Sequence, residues 1–316
     1  MTEAIGPETP GHQAAEEALA RLLADVADRL RALRRRGIKR ADRVHRFRVA
    51  TRRASAALRL FHDWVDDAHW QRIRRTLRRL RREAGAVRSA DVHLHMLRDG
   101  LGGQLDPSSR EVRSMARSVR RSRKAGRAAL ARRLDRRSVA RLERRTDRLL
   151  ASIRTDGPGR EPFENMAQRW LGASLPELVD ACDRSASDRE AFHPARLVAK
   201  RLRYGVEILA PCFAPEGIDA ALLWATDLQD RMGEVNDLEE LQMLVSTAAR
   251  ERPDGAMPAL EATLAARAAQ AYARYAQWWK SSGRGELARV FGPMMAGIRA
   301  PHAPRPPPAP HPPPPP

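Results

Sequence analysis

The sequence predicts an all-α protein built from two related halves, and three observations carry that prediction. Ala, Leu, Arg and Glu are abundant, no convincing alternating strand pattern occurs, and the chain repeats itself after 148 residues. The repeat is clearest in a basic segment: His45, Arg48, Arg52 and Arg53 recur as His193, Arg196, Lys200 and Arg201, both copies reading H-x-x-R-x-x-x-[RK]-R. With no gap in the offset, Leu23 pairs with Leu171, Leu30 with Leu178, Leu80 with Leu228, Gly85 with Gly233 and Val87 with Val235, the signature of an internal duplication.

The first half is expected to hold helices over 12–36, 42–62, 68–84, 89–99 and 109–133. Gly37 closes the first, and Gly100-Leu101-Gly102-Gly103 marks the turn after the fourth. Residues 136–154 form an additional basic helix, which Asp156-Gly157-Pro158-Gly159 breaks. The second half is expected to hold helices over 161–185, 193–213, 217–232, 237–251 and 257–281, each near its partner after the shift. Pro194 suits a first helical turn, where its missing N–H costs little, and Pro253-Asp254-Gly255 marks a turn. Residues 1–11 read as a disordered N-terminus. One domain then spans 12–298, as halves 12–155 and 160–298, and a Pro-rich tail covers 299–316.

Charge is large and unevenly placed. Of a formal +19, the first 155 residues carry +22 and the remainder −3. Such a field implies a polyanionic partner: nucleic acid, polyphosphate or an anionic membrane face. The two cysteines, Cys182 and Cys212, form no C-x-x-C pair, which argues against a disulfide framework and fits a reducing cytoplasm. The acidic start Met1-Thr2-Glu3 does not resemble a secretory signal, and no apolar run approaches the roughly 20 residues of a membrane span.

The repeated segment is organised as a helix with two faces. At about 100° per residue, His45, Arg48, Arg52 and Arg59 fall within about 60° of one another, while Phe47, Ala54, Leu58 and Phe61 gather on the opposite side. In the second copy His193, Arg196, Lys200, Arg203 and Tyr204 share one face, and Leu202, Val206 and Leu209 the other. The second stripe lies in a half with net negative charge, so general basicity does not explain it. Arg53 and Arg201 stand about 80° from the stripe, a rim position.

These residues resemble the CHAD family, the conserved histidine α-helical domain. The matching stretches run from Val44 to Arg53, then Leu58-Arg59-Leu60-Phe61, His193-Pro194-Ala195-Arg196, Lys200 to Glu207 and Gly233-Glu234-Val235-Asn236-Asp237. The resemblance covers about 12–298 and implies two helical bundles related by a pseudo-twofold, with the His/Arg helices facing a central basic channel that binds inorganic polyphosphate. It also implies a binding module, in some members located on polyphosphate granules. In one place the chain departs from the family pattern: Arg88 is followed by Ser89 where an Asp is usual, with Asp91 two residues on. Glu207, in the place matching Arg59, is expected to tie down a neighbouring cation.

Polyphosphate bears about one charge per phosphate, so its binder needs a line of cations. Arginine suits because its planar fork donates two hydrogen bonds to phosphate oxygens. Spacings of 3, 4 and 7 residues stack such forks over about 16 Å between Arg48 and Arg59. His45 and His193 would add phosphate hydrogen bonds, stronger when protonated. The segment 72–88 is too basic for a purely structural face, so Arg78 and Arg82, four apart, are expected in the channel wall with Arg88. The run Arg117 to Arg127 reads instead as a solvated surface. Tyr204 divides between packing and hydrogen bonding.

Other chemistry is weakly supported. His62, Asp63, Asp66, Asp67 and His69 fit no defined metal-site spacing and read as an interhelix loop. Asn236 or Asp237 reads as an N-cap, and no phosphate loop or dinucleotide fingerprint occurs. The expectation is a non-enzymatic polyphosphate binder without cofactor or metal. A helical nucleic-acid binder is the alternative, favoured by the +22 half and opposed by the scarcity of aromatic residues for base stacking. A polyphosphate-processing enzyme with His45 or His193 as acceptor lacks a carboxylate–metal constellation.

Overall fold

The computed structural model describes residues 5–156, 160–251 and 257–296, and the described chain is all-α. The helices are α1 (Gly11–Arg36), α2 (Ala41–Leu60), α3 (Asp67–Arg98), a single turn α4 (Gly100–Gly103), α5 (Arg110–Arg133), α6 (Arg136–Leu150), α7 (Phe163–Ser185), α8 (Phe192–Leu209), α9 (Pro215–Arg250), α10 (Pro258–Trp278) and α11 (Arg284–Ala296). Polar caps start several of them. Asp66 accepts from the His69 N–H at 3.0 Å, Ser109 from Val112 at 3.3 Å and Asp135 from Ser138 at 2.6 Å, each satisfying an otherwise orphaned donor. In α4, Gly100, Leu101, Gly102 and Gly103 all have positive φ, a left-handed turn that needs the glycines.

The two halves repeat one packing order. α1 packs on α2, α2 on α3 and α3 on α5; likewise α7 packs on α8, α8 on α9 and α9 on α10. α3 and α9 begin at residues 67 and 215, and α5 and α10 at 110 and 258. The halves meet where α2 crosses α8 and α3 touches α9. The apolar face of α2 is buried, with Phe47, Ala54 and Phe61 at 0% exposure; so is that of α8, through Leu202, Val206 and Leu209. Burying those faces holds the opposite, polar faces toward the junction between halves.

Several expectations are corrected. Helices expected over 68–84 and 89–99 are one helix, α3, and those over 217–232 and 237–251 are one helix, α9. Gly85 and Gly233 each cost about 1 kcal/mol relative to alanine, but buried Leu80, Ala84, Val87, Ala90 and Leu94 continue the packed stripe through the first, and Met232, Val235, Leu238 and Leu241 through the second. Packing outweighs that local cost. Asn236 therefore lies inside α9 and caps nothing; its buried amide donates to Glu240 Oε1 at 2.9 Å.

Residues 5–10, expected to be disordered, are tied to the start of α7. Phe163 N–H donates to Thr9 O at 2.9 Å, and Glu164 N–H to Pro7 O at 3.0 Å. The stretch after 278 continues as a π turn (Trp279–Gly283) into α11, where buried Leu287, Phe291 and Met294 cover α9. Residues 1–4 and the Pro-rich tail 299–316 lie outside the described residues.

Candidate functional site

Where α2, α3 and α8 converge, they form a half-open cavity of about 730 Å³. α2 contributes Arg48, Arg52 and Arg59; α3 contributes Arg78, Arg81, Arg82 and Gly85. The facing wall is α8, with Leu197, Val198, Lys200, Arg201 and Tyr204. Eight cations thus surround one space, and no carboxylate lines it. Spacings of 3, 4 and 7 residues put Arg78, Arg81, Arg82 and Gly85 on one face of α3, as the same spacings do on α2.

The cations are close enough to oppose one another. Burial, then Arg52 and Arg88, lowers the pKa of Arg48 to about 10. Burial, then Arg81 and Arg201, lowers Arg59; burial, then Arg52 and Arg78, lowers Arg81. Lys200 is lowered to about 7 by burial, then by Arg196, Arg52 and Arg48. Among the described residues, no carboxylate stands within ion-pair distance of Arg48, Arg52, Arg59, Arg78, Arg81, Arg82 or Lys200. A surface arginine ordinarily finds a carboxylate or water. Arg48, Arg52, Arg81 and Lys200 are held partly buried beside like charge, with Arg59, Arg78 and Arg82 more exposed, an arrangement that a bound polyanion would relieve.

The remaining candidates divide. His45, Arg88 and Arg196 do not line the cavity but border its cations. His45 is lowered by burial and then by Arg88, Arg52 and Arg48; Arg196 is lowered by burial, with Arg52 adding and Asp237 opposing. The Arg196 Nε is buried without a hydrogen-bond partner. His193 on the first turn of α8 is exposed, as His45 is on α2, and likewise lies outside the cavity lining. The repeat places the two histidines at the same motif position, but His45 sits one turn inside α2 and His193 at the start of α8.

Arg53 and Arg203 are engaged elsewhere. Arg53 Nε donates to Glu207 Oε2 at 2.7 Å, joining α2 to α8, and Arg203 Nη2 stands 3.4 Å from Glu207 Oε1. Arg203 also donates to Gln229 at 3.1 Å. Glu207 thus gathers two guanidiniums away from the cavity. Arg201 lines the cavity and pairs with Glu177 at its edge. Ser89, in the family's Asp position, donates to Glu240 Oε2 at 3.2 Å across the α3–α9 contact, whereas Asp91 pairs with Arg123 at 2.9 Å and faces α5.

Sequence reasoning passed over Arg81, although its spacing from Arg78 carried the signal. It also passed over Gly85, where a Cβ would stand 2.6 Å from Arg48 Nη1, and over a smaller neighbouring cavity of about 290 Å³ that shares Arg59 and Arg201 with the first. Among the described residues, no helix is long and apolar enough to cross a membrane.

Comparison with known proteins agrees with the all-α fold. The family model described as CHAD domain matches residues 13–246. A crystal structure of the CHAD domain from the plant Ricinus communis is similar at 21% identity, covering 96% of this chain and 97% of that one, with a TM-score of 0.64. PptA from Streptomyces chartreusis is similar at 15% identity, covering 90% of this chain and 100% of that one, with a TM-score of 0.65. At these identities the likeness is one of fold. Among curated proteins nothing matches.

Proposed function

The chain belongs to the CHAD domain family, and from that premise we propose that it binds inorganic polyphosphate in the α2–α3–α8 cavity without turning it over. The observation that carries this reading is the set of eight cations around one space with no lining carboxylate. A linear polyanion supplies a repeated charge at short spacing and two or more acceptor oxygens per unit, which rows of guanidinium forks match. The two walls are unequal in this reading. α2 and α3 supply six arginines, while α8 supplies Lys200 and Arg201 beside Leu197 and Val198, so the chain would lie mainly along the α2–α3 side.

A half-open cleft rather than a flat surface favours a thin, flexible polyanion over a duplex, and the scarcity of aromatic residues for base stacking along the cationic walls favours polyphosphate over single-stranded nucleic acid. Competition of long-chain polyphosphate against RNA and DNA, at matched phosphate and fixed salt, tests the reading. Polyphosphate should displace both nucleic acids and resist displacement by either; nucleic acid winning at equal phosphate would overturn it. Location on polyphosphate granules belongs to the same proposal, and a fluorescently tagged chain should then co-localise with granules only while the cavity arginines are intact.

A further inference from the structure

The smaller cavity beside the channel has a different chemistry. Its walls are Ala56 and Leu60 of α2, His62, Trp70 of α3, Trp170 of α7 and Gly205 of α8. The indoles are built in. Trp70 Nε1 donates to Leu58 O at 2.6 Å, its ring lies 4.2 Å from that of His62, and the Arg74 guanidinium sits 5.0 Å from its centroid. Trp170 reaches α8 only because residue 205 is glycine, since a Cβ there would stand 2.0 Å from the indole. Both indoles are partly buried and remain partly exposed. Arg59 and Arg201 line this cavity and the basic one alike.

An aromatic recess opening onto a row of cations through two shared arginines matches a ligand with a flat ring on one end and a phosphate chain on the other. We propose that this recess is a nucleobase site, so that the protein binds nucleoside 5′-polyphosphates with the base among Trp70, Trp170 and His62, the first phosphates at Arg59 and Arg201, and the rest along the α2–α3 arginines. The volume of about 290 Å³ lies near the lower end of small-ligand pockets, about 300–1,000 Å³. Base–aromatic contact tolerates any base, because each has a π face, so discrimination among the four bases is not expected. The proposal rests on the channel binding phosphate chains.

ATP and inorganic tripolyphosphate have the same number of phosphates and comparable charge, and Mg²⁺-free calorimetry with both separates the recess from the channel. ATP should bind roughly tenfold more tightly, about 1.4 kcal/mol, within the range of one base–aromatic contact. In Trp70→Leu and His62→Ala that advantage should shrink or vanish while tripolyphosphate binding stays as in the parent. Ala56→Leu fills the recess without removing an aromatic wall and should act likewise, which keeps the test open if Trp70→Leu fails to fold. ATP binding no more tightly than tripolyphosphate to the parent protein, or an advantage surviving in Ala56→Leu, overturns the nucleobase site and leaves the channel reading intact. Failure of tripolyphosphate and long-chain polyphosphate alike to bind overturns both.

Discussion

Gly85 of α3 faces the Arg48 guanidinium of α2 so closely that a Cβ on the glycine would stand 2.6 Å from Nη1. The backbone also meets Arg48 one turn earlier, where Nη1 donates to Arg81 O at 3.4 Å. The glycine therefore gives up helix propensity to let a cavity arginine lie against the helix. Gly85→Ala is expected to separate stability from binding. The helix should gain up to about 1 kcal/mol, while Arg48 swings away and polyphosphate affinity falls at least about tenfold, the worth of one charge-assisted contact of about 1.5–3 kcal/mol. Urea unfolding and calorimetry on the same sample check the pair; an unchanged affinity would show that Arg48 makes no contact with the ligand.

Lys200 gives the site a pH dependence. Its pKa is lowered to about 7 by burial first and then by Arg196, Arg52 and Arg48, with Asp237 opposing. In the unfolded chain the amine keeps its proton up to about 10.5. The unfolded state therefore binds more protons between about 7 and 10.5, and this lysine adds stability as pH rises through that window. A bound polyanion has the opposite effect, since it restores the ammonium form. Binding at pH 7.5 should take up a fraction of a proton, read from calorimetry in buffers of different ionisation enthalpy, and affinity should decline as pH rises above 7. His45, lowered further below its ordinary value of 6.5, contributes uptake only at lower pH. Lys200→Met should abolish the uptake at pH 7.5; persistence there would move the proton to another group.

Much of this arrangement is legible along the chain. The apolar and cationic faces of α2 follow from residue spacing alone, because burial of Phe47, Ala54 and Phe61 fixes the direction in which Arg48, Arg52 and Arg59 must point. The division of labour on α8 is not legible in that way. Spacing puts Arg203 on the stripe and Arg201 about 80° from it, yet Arg201 lines the cavity and Arg203 turns to Glu207 and Gln229. Long, flexible arginines reach partners well away from their Cα direction, and those partners come from other helices. The aromatic recess is hidden for the same reason: Trp70, Trp170 and Gly205 are far apart in sequence and meet only when α3, α7 and α8 pack.

Glu207 links the halves and lies outside the cavity lining. Its carboxylate, with 15% side-chain exposure, joins Arg53 of α2 and Arg203 of α8. Glu207→Gln keeps the shape and removes the charge, leaving two guanidiniums beside each other. Because Arg53 is 42% exposed, solvent screens much of the loss, and the cost should be about 1 kcal/mol, seen as a lower urea midpoint. Polyphosphate affinity should not fall, since neither arginine lines the cavity. A drop in affinity comparable to that of Gly85→Ala would place Arg53 or Arg203 on the ligand.

Turnover is not expected. The cavity lining contains no carboxylate to activate water or hold a metal beside the phosphate chain, and neither His45 nor His193, the candidate phosphate acceptors, lines it. Incubation of the pure protein with polyphosphate and Mg²⁺ should release no phosphate and leave no phosphohistidine. Stoichiometric or catalytic release would make the protein a polyphosphate-processing enzyme.

The strongest separation between channel and diffuse charge comes from two triple reversals. Arg52, Arg59 and Lys200 line the cavity from both walls, whereas Arg117, Arg120 and Arg121 are exposed on α5. Reversing either set to Glu changes the net charge identically, so a binder driven by bulk basicity should respond alike to both. If each cavity cation makes a charge-assisted contact worth about 1.5–3 kcal/mol, the first variant should lose on the order of 10³-fold or more in affinity, and the second less than about tenfold. Both measurements belong at one ionic strength, because every neutralised phosphate adds to the salt dependence. Circular dichroism must show both variants helical. Relief of like-charge crowding among Arg52, Arg48, Arg81 and Lys200 should even raise the thermal stability of the cavity variant without ligand, so weak binding there cannot be assigned to unfolding. Equal losses in two folded variants would reduce the protein to a diffuse polyanion binder and return nucleic acid to contention.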